Sequence, residues 1–198
     1  MPGSYILMIV LLLVGLFVQW RLKSKFTEYS QIALGSGLSG AEVAQKMLTE
    51  NGVTDVRVLS VEGQLTDHYN PQDKTVNLSP DVYSGRSVMA AAVAAHECGH
   101  AVQHKVAYGP LQFRSAIVPF VSVSSRYMQW ILIAGILMIN STLLPLQIGV
   151  ALFAVTTLFT FITLPVEFDA SKRALAWIES RGVVSPQEYG IAKDGLKW

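Results

Sequence analysis

From Tyr127 to Val166 the chain runs forty residues without an Asp, Glu, Lys or Arg, and no other feature restricts the fold as much. A helix crosses roughly 30 Å of hydrocarbon in about 20 residues, so a charge-free run of this length reads as two crossings. Asn140, Ser141, Thr142 and Pro145 place polar and helix-breaking residues near its middle. They predict a helical hairpin, with one span at about 127 to 143 and the other at about 146 to 164.

A second apolar run opens the chain. MPGSYILMIVLLLVGLFVQW reaches Arg21 without a charge, long enough for a third span. Tyr5 and Trp20 stand where interfacial aromatics belong. A cleaved signal peptide would carry cations before its apolar core and a small-residue cleavage site after it. Here the cations Arg21, Lys23 and Lys25 come after, so residues 1–20 read as an uncleaved transmembrane anchor. Composition agrees, since 51% of residues are hydrophobic and 15% charged, well below the roughly 25% charged of ordinary soluble domains.

All 15 Lys and Arg residues lie between Arg21 and Arg126 or after Val166. The positive-inside tendency therefore puts both charged regions in the cytoplasm and the N-terminus outside, in a multi-pass protein of the cell membrane. A net charge of +1, with no basic run interleaved with aromatics, excludes a nucleic-acid partner. The lone cysteine, Cys98, forms no internal disulfide and suits a reducing compartment.

The chain thus divides into an anchor (1–20), a polar subdomain (21–126), the hairpin (127–165) and a C-terminal helical segment (166–198). In the polar part, Ser39-Gly-Ala-Glu42 is a capping box opening a helix that runs to about Glu50, with Gly52 past its end. VRVLSVEG and KTVNLS alternate as strands, and TDHYNPQD between them reads as turn chemistry. The Ala-rich stretch Ser87 to Lys105 predicts a helix. AIVPFVSVSS reads as a loop packed on the hairpin, with an interfacial lid as the alternative. LPVEFDASKRALAWIESRG predicts a helix beginning after Pro165 and ending at Gly182, and the box Ser185-Pro-Gln-Glu188 opens a short last one.

The helix over 87–105 carries AAHECGHAVQH, with His96, His100 and His104 at four-residue spacing. Residues four apart share a helix face about 6 Å apart, so His96 and His100 can aim at one ion. Glu97, offset by one helical step, stands beside that ion, where it can take a proton from water. This is the His-Glu-x-x-His pattern of zinc peptidases, on a helix otherwise uncharged near the motif. Were these merely core histidines, each buried imidazole would need another partner. His104, whose Cα lies about 12 Å from that of His96 on a straight helix, cannot share the ion. Cys98, on the far side, reads as packing. A catalytic zinc takes three protein ligands, and His68 and Glu167 are the candidates for the third. Glu167 follows the hairpin, which returns the chain to the side it left, although a carboxylate opening a helix also suits the dipole.

HECGH together with LPVEFDASKRA resembles the neutral zinc metallopeptidases of bacterial membranes, the YugP-like group, related to the gluzincin class that includes the HtpX and CAAX-processing membrane peptidases. The resemblance covers nearly the whole chain, in the order anchor, HECGH domain, hairpin, VEFDAS. It implies an α+β membrane protein, a minimal gluzincin-like domain of helices and a small sheet. It also implies one Zn2+ held by His96, His100 and Glu167, with Glu97 as general base. Several gluzincin relatives carry an aspartate four residues after the ligand glutamate to brace a zinc-bound histidine; here that position is Ser171, and Asp169 lies on another helix face. The strand before the zinc helix, TVNLS, is expected to pair with an extended substrate.

These readings converge on a membrane-bound zinc metalloendopeptidase acting on peptide or membrane-protein substrates at the cytoplasmic face of the bilayer. His68, Tyr69, Tyr83 and Arg173 are oxyanion candidates by residue type. The competing reading is a catalytically silent zinc-containing scaffold, against which the retained Glu97 argues, because a structural site closes with a fourth ligand and has no use for a base. A transporter would need ionisable groups within its spans, and the forty-residue stretch has none.

Overall fold

The computed structural model describes residues 2–197; Met1, Trp198 and the side chains of Pro2, Ser4, Tyr5, Leu7 and Met8 lie outside the described residues. It is mostly helical, with one three-stranded sheet. The chain forms two compact units, residues 1–102 with 170–198, and residues 103–169.

The first unit begins with α1 (Pro2–Ser30), whose apolar side chains from Ile9 to Trp20 are exposed. Helix α2 (Gly40–Glu50) starts at the expected capping box: Ser39 Oγ accepts from the Glu42 amide, and the Glu42 carboxylate accepts from the Ser39 amide. It ends with Gly52 at φ +66°, the left-handed cap that glycine adopts without strain. Gly40, Val43, Ala44, Met47 and Leu48 are its buried residues, a stripe at helical spacing facing the core.

The sheet contains β1 (Arg57–Ser60), β2 (His68–Asn70) and β3 (Thr75–Leu78), in the order β1-β3-β2. β1 runs parallel to β3, pairing Val58 with Val76; β2 runs antiparallel to β3, pairing Tyr69 with Val76. β2 corrects the reading of TDHYNPQD as turn throughout. The turn occupies only the residues from Pro71 to Lys74, and the residues before them form a strand too short to show a period. β3 is thereby central, with partners on both sides. TVNLS consequently has no open edge to offer a substrate; the edges belong to β1 and β2.

After the short α3 (Pro80–Tyr83), helix α4 (Val88–Lys105) follows Ser87, whose Oγ accepts from the Ala90 amide. Ala91, Ala94, Ala95 and Cys98 are fully buried and join Val76 and Leu78 of β3 and the α2 stripe in one core. Small side chains are what let helix and sheet approach closely here.

The second unit is built on α5 (Gly109–Leu137) and most of α6 (Leu144–Ser180). Both are long and apolar enough to cross a membrane. Their turn, residues 138–143, holds Asn140, Ser141 and Thr142 as expected, but α5 ends at Leu137, short of the predicted 143, and Pro145 lies within α6; the bare glycines Gly135 and Gly149 let the helices touch, since a Cβ on Gly135 would stand 2.6 Å from the Leu146 amide nitrogen. Two further boundaries are corrected. AIVPFVSVSS is helix, with Pro119 inside α5; Ser115, Ser122 and Ser125 satisfy their hydroxyls on the carbonyls four residues back, so the polar residues do not compete with the helix. Pro165 likewise lies inside α6, so no new helix starts there; proline removes one amide donor without obliging the chain to leave the helix when its neighbours hold.

The final stretch of α6 returns to the first unit, where Ala174 and Ile178 are buried and Trp177 Nε1 donates to Glu50 Oε2 at 2.9 Å. Gly182, at φ +61°, ends it. Helix α7 (Pro186–Gly195) has its own capping box on Ser185 and Glu188. Glu188 Oε1 also accepts from the Gly35 amide at 2.6 Å, and Tyr29 of α1 donates to Asp194 at 2.6 Å, tying α7 to the chain leaving α1.

Candidate metal and catalytic centre

Helix α4 puts His96 and His100 on one face, with ring centroids 4.8 Å apart and planes at 85°. His100 is 7% exposed and His96 half-buried. His96 Nδ1 lies 3.1 Å from Ser171 Oγ, on the returning part of α6. A ring nitrogen engaged in this way fixes the imidazole's orientation. Ser171 thus occupies, with a hydroxyl, the place where the sequence left the bracing of a histidine open.

The approach that permits this contact is made at Gly99. A Cβ there would come within 2.6 Å of the Ala170 carbonyl oxygen and 3.1 Å of its Cα, so α4 meets α6 backbone to backbone. Within the second unit, the fully buried Gln103 at the end of α4 donates from Nε2 to the Val166 carbonyl and to Asp169 Oδ2, both at 2.8 Å. Sequence reading passed over Gln103. Its signal was a large polar residue one turn past His100 in an otherwise alanine- and valine-rich helix.

Glu97 is 8% exposed, and its Oε2 accepts from the Tyr69 amide at 3.0 Å. The carboxylate is therefore anchored on β2, an edge strand. His68, one residue away, is occupied within its own sheet: Nδ1 lies 2.7 Å from the Thr66 carbonyl and Nε2 is 3.2 Å from Asn77 Nδ2. A carbonyl can only accept and an amide nitrogen only donate, so Nδ1 carries the proton and Nε2 accepts. Both nitrogens have protein partners, which leaves the ring with neither a lone pair for a metal nor a proton for an oxyanion. Tyr83 and Tyr69 pack against the core, and Arg173 is half-buried on α6.

His104 is exposed near the end of α4. Cys98 is buried, with its Sγ donating to the Ala44 carbonyl at 3.5 Å, and burial, with the nearby Glu97 charge, pushes its thiol well above the ordinary range; a thiol kept protonated is a poor ligand. Glu167 lies in the second unit, half-exposed on α6, with Oε1 at 3.8 Å from Arg114 Nη2.

A helix bearing His-Glu-x-x-His, with its glutamate tethered to the edge of a small sheet, belongs to the zinc-peptidase class of architecture. The chain is a member of one family within that class: residues 4–198 match the family described as "Putative neutral zinc metallopeptidase". It is similar to a protein of Bacillus subtilis (strain 168) named "Putative membrane protease YugP", at 43% identity over 178 residues, covering 89% of this chain and 78% of that one. No solved structure matches it.

Proposed function

We propose that this protein is a membrane-bound zinc endopeptidase in which His96, His100 and Glu167 hold one zinc ion and Glu97 is the general base. The observation that carries the reading is the contact of His96 with Ser171. His100 lies one turn after His96 on α4, and Glu167 one turn before Ser171 on α6. Helix periodicity therefore carries the two further donors toward the place where His96 meets Ser171. Two imidazoles and a carboxylate, each offering one ligand atom, form the donor set of a catalytic zinc with a position left open.

When bound, zinc would polarise a scissile carbonyl and make a water acidic enough to attack at neutral pH. The chain's own residues do the rest. The Ser171 hydroxyl orients His96. The Tyr69 amide holds Glu97, whose other oxygen can take the proton of an attacking water and pass it to the departing amine. The core around Ala94, Ala95 and Cys98 fixes α4, which carries His96, Glu97 and His100. β2, the edge strand beside Glu97, replaces TVNLS as the strand that an extended peptide would join. The apolar run of residues 1–20 and the helices α5 and α6 support a place in the bilayer, and the distribution of Lys and Arg favours a centre at the cytoplasmic face.

Zinc content tests the ligand set: the wild type in detergent should hold about one zinc per chain, as a three-ligand site predicts, and His96→Ala, His100→Ala and Glu167→Gln should each lose most of it. Full retention of zinc in Glu167→Gln would overturn the assignment of that ligand.

A further inference from the structure

The second unit holds two acids, Glu167 and Asp169, against three cations, Lys105, Arg114 and Arg126. Asp169 takes a hydrogen bond from Gln103. Glu167 meets Arg114: the guanidinium Nη2 of this α5 residue lies 3.8 Å from Glu167 Oε1, with the two side chains 33% and 38% exposed. Among the described residues, Arg114 Nε is a buried side-chain nitrogen with no hydrogen-bond partner. The helix presents exposed apolar side chains such as Phe113 and Phe120 on either side, and Glu167 gives the guanidinium a counter-charge. A charge in apolar surroundings is retained when it has such a partner.

Resting on the reading of Glu167 as a ligand, we propose that Arg114 is a positioning residue for the metal centre. A carboxylate has two oxygens and can turn to offer either or both to an ion. Arg114 pairs with Oε1, so that Glu167 is turned toward the metal in a fixed direction. The planar, permanently charged guanidinium suits this task, with donors left over to close on the same carboxylate.

The test uses the full chain in detergent. Zinc affinity is read by competition with a chromophoric chelator, and ligand geometry by the visible bands of the cobalt-substituted protein. Arg114→Met keeps the aliphatic stem and removes the charge; Arg114→Lys keeps the charge. The Met variant should bind zinc about 10- to 100-fold more weakly, the range for losing a group that orients a metal ligand, with altered cobalt bands, and the Lys variant should recover most of the affinity. If the Met variant does not fold, Arg114→Gln takes its place with the same expectation. Wild-type affinity and wild-type cobalt bands in the charge-free variant would overturn the proposal. If Glu167→Gln weakens zinc binding and loss of the Arg114 charge does not, this inference falls alone; if Glu167→Gln leaves zinc binding intact, the ligand assignment falls and takes this inference with it.

Discussion

His96 Nδ1 stands 3.1 Å from the hydroxyl of Ser171, a residue seventy-five positions later in the chain and one turn past Glu167 on the same helix. A serine hydroxyl can both accept and donate, so it can hold the neutral, Nδ1-protonated imidazole that a metal requires. Ser171→Ala should therefore weaken zinc binding by about tenfold, the low end for a group that orients a ligand, while Ser171→Asp should keep or strengthen it. Chelator competition on the purified variants measures both. An alanine variant with unchanged affinity would show that the hydroxyl does not orient the ring.

Gly99 sets how closely the two helices approach. A Cβ there would meet the Ala170 carbonyl at 2.6 Å, and since that neighbour is backbone, one helix must shift. Gly99→Ala should cost about 1–3 kcal/mol, the usual range for overpacking a tight core. Thermal unfolding in detergent would show it as a lower Tm, and zinc affinity should fall with it because the shift moves His96 away from Ser171. An unchanged Tm would mean that the approach is looser than the structure has it.

Acid should loosen the two capped helices before the core. The amide and hydroxyl of Ser39 hold the Glu42 carboxyl below its ordinary range. Partial burial pushes Glu188 up, but the amides of Ser185 and Gly35 outweigh it and hold that carboxyl low as well. A depressed folded-state pKa contributes stability that is present above the unfolded value, about 4.3 for a glutamate, and is lost as pH falls through the folded value. Hydrogen exchange across α2 and α7 should accordingly rise below about pH 4, and Glu42→Gln and Glu188→Gln should weaken this pH dependence, each in its own helix. Equal acid sensitivity in the variants would show that other groups are responsible.

Much of this was legible in the sequence because the signals were local. Ser39 with Glu42, and Ser185 with Glu188, announced helix starts that the structure keeps, and the charge-free run announced two long apolar helices, though not their ends or the bounds of their turn. Local signals failed where a neighbouring segment decides the outcome. Pro119 and Pro165 look like helix ends, yet both sit within helices. His68–Asn70 became a strand because β3 was there to pair with it, and that pairing placed TVNLS at the centre of the sheet, with neither edge open. His68 lost its candidacy as a ligand to Thr66 and Asn77, partners that residue type cannot reveal. Ser171 looked like a departure from the aspartate of its relatives, and only the fold shows its hydroxyl on His96.

Glu97 bears the central claim, because it separates an enzyme from a zinc-holding scaffold. Glu97→Gln is the most direct test: its amide oxygen can still accept from the Tyr69 amide, so the tether to β2 survives while the base is removed. Zinc content and cleavage of an unfolded membrane-protein substrate should be measured on the same wild-type and variant samples. The account predicts about one zinc per chain in both and cleavage by the wild type alone. Undiminished cleavage by the variant, or zinc in both with cleavage by neither across a broad substrate panel, would contradict it.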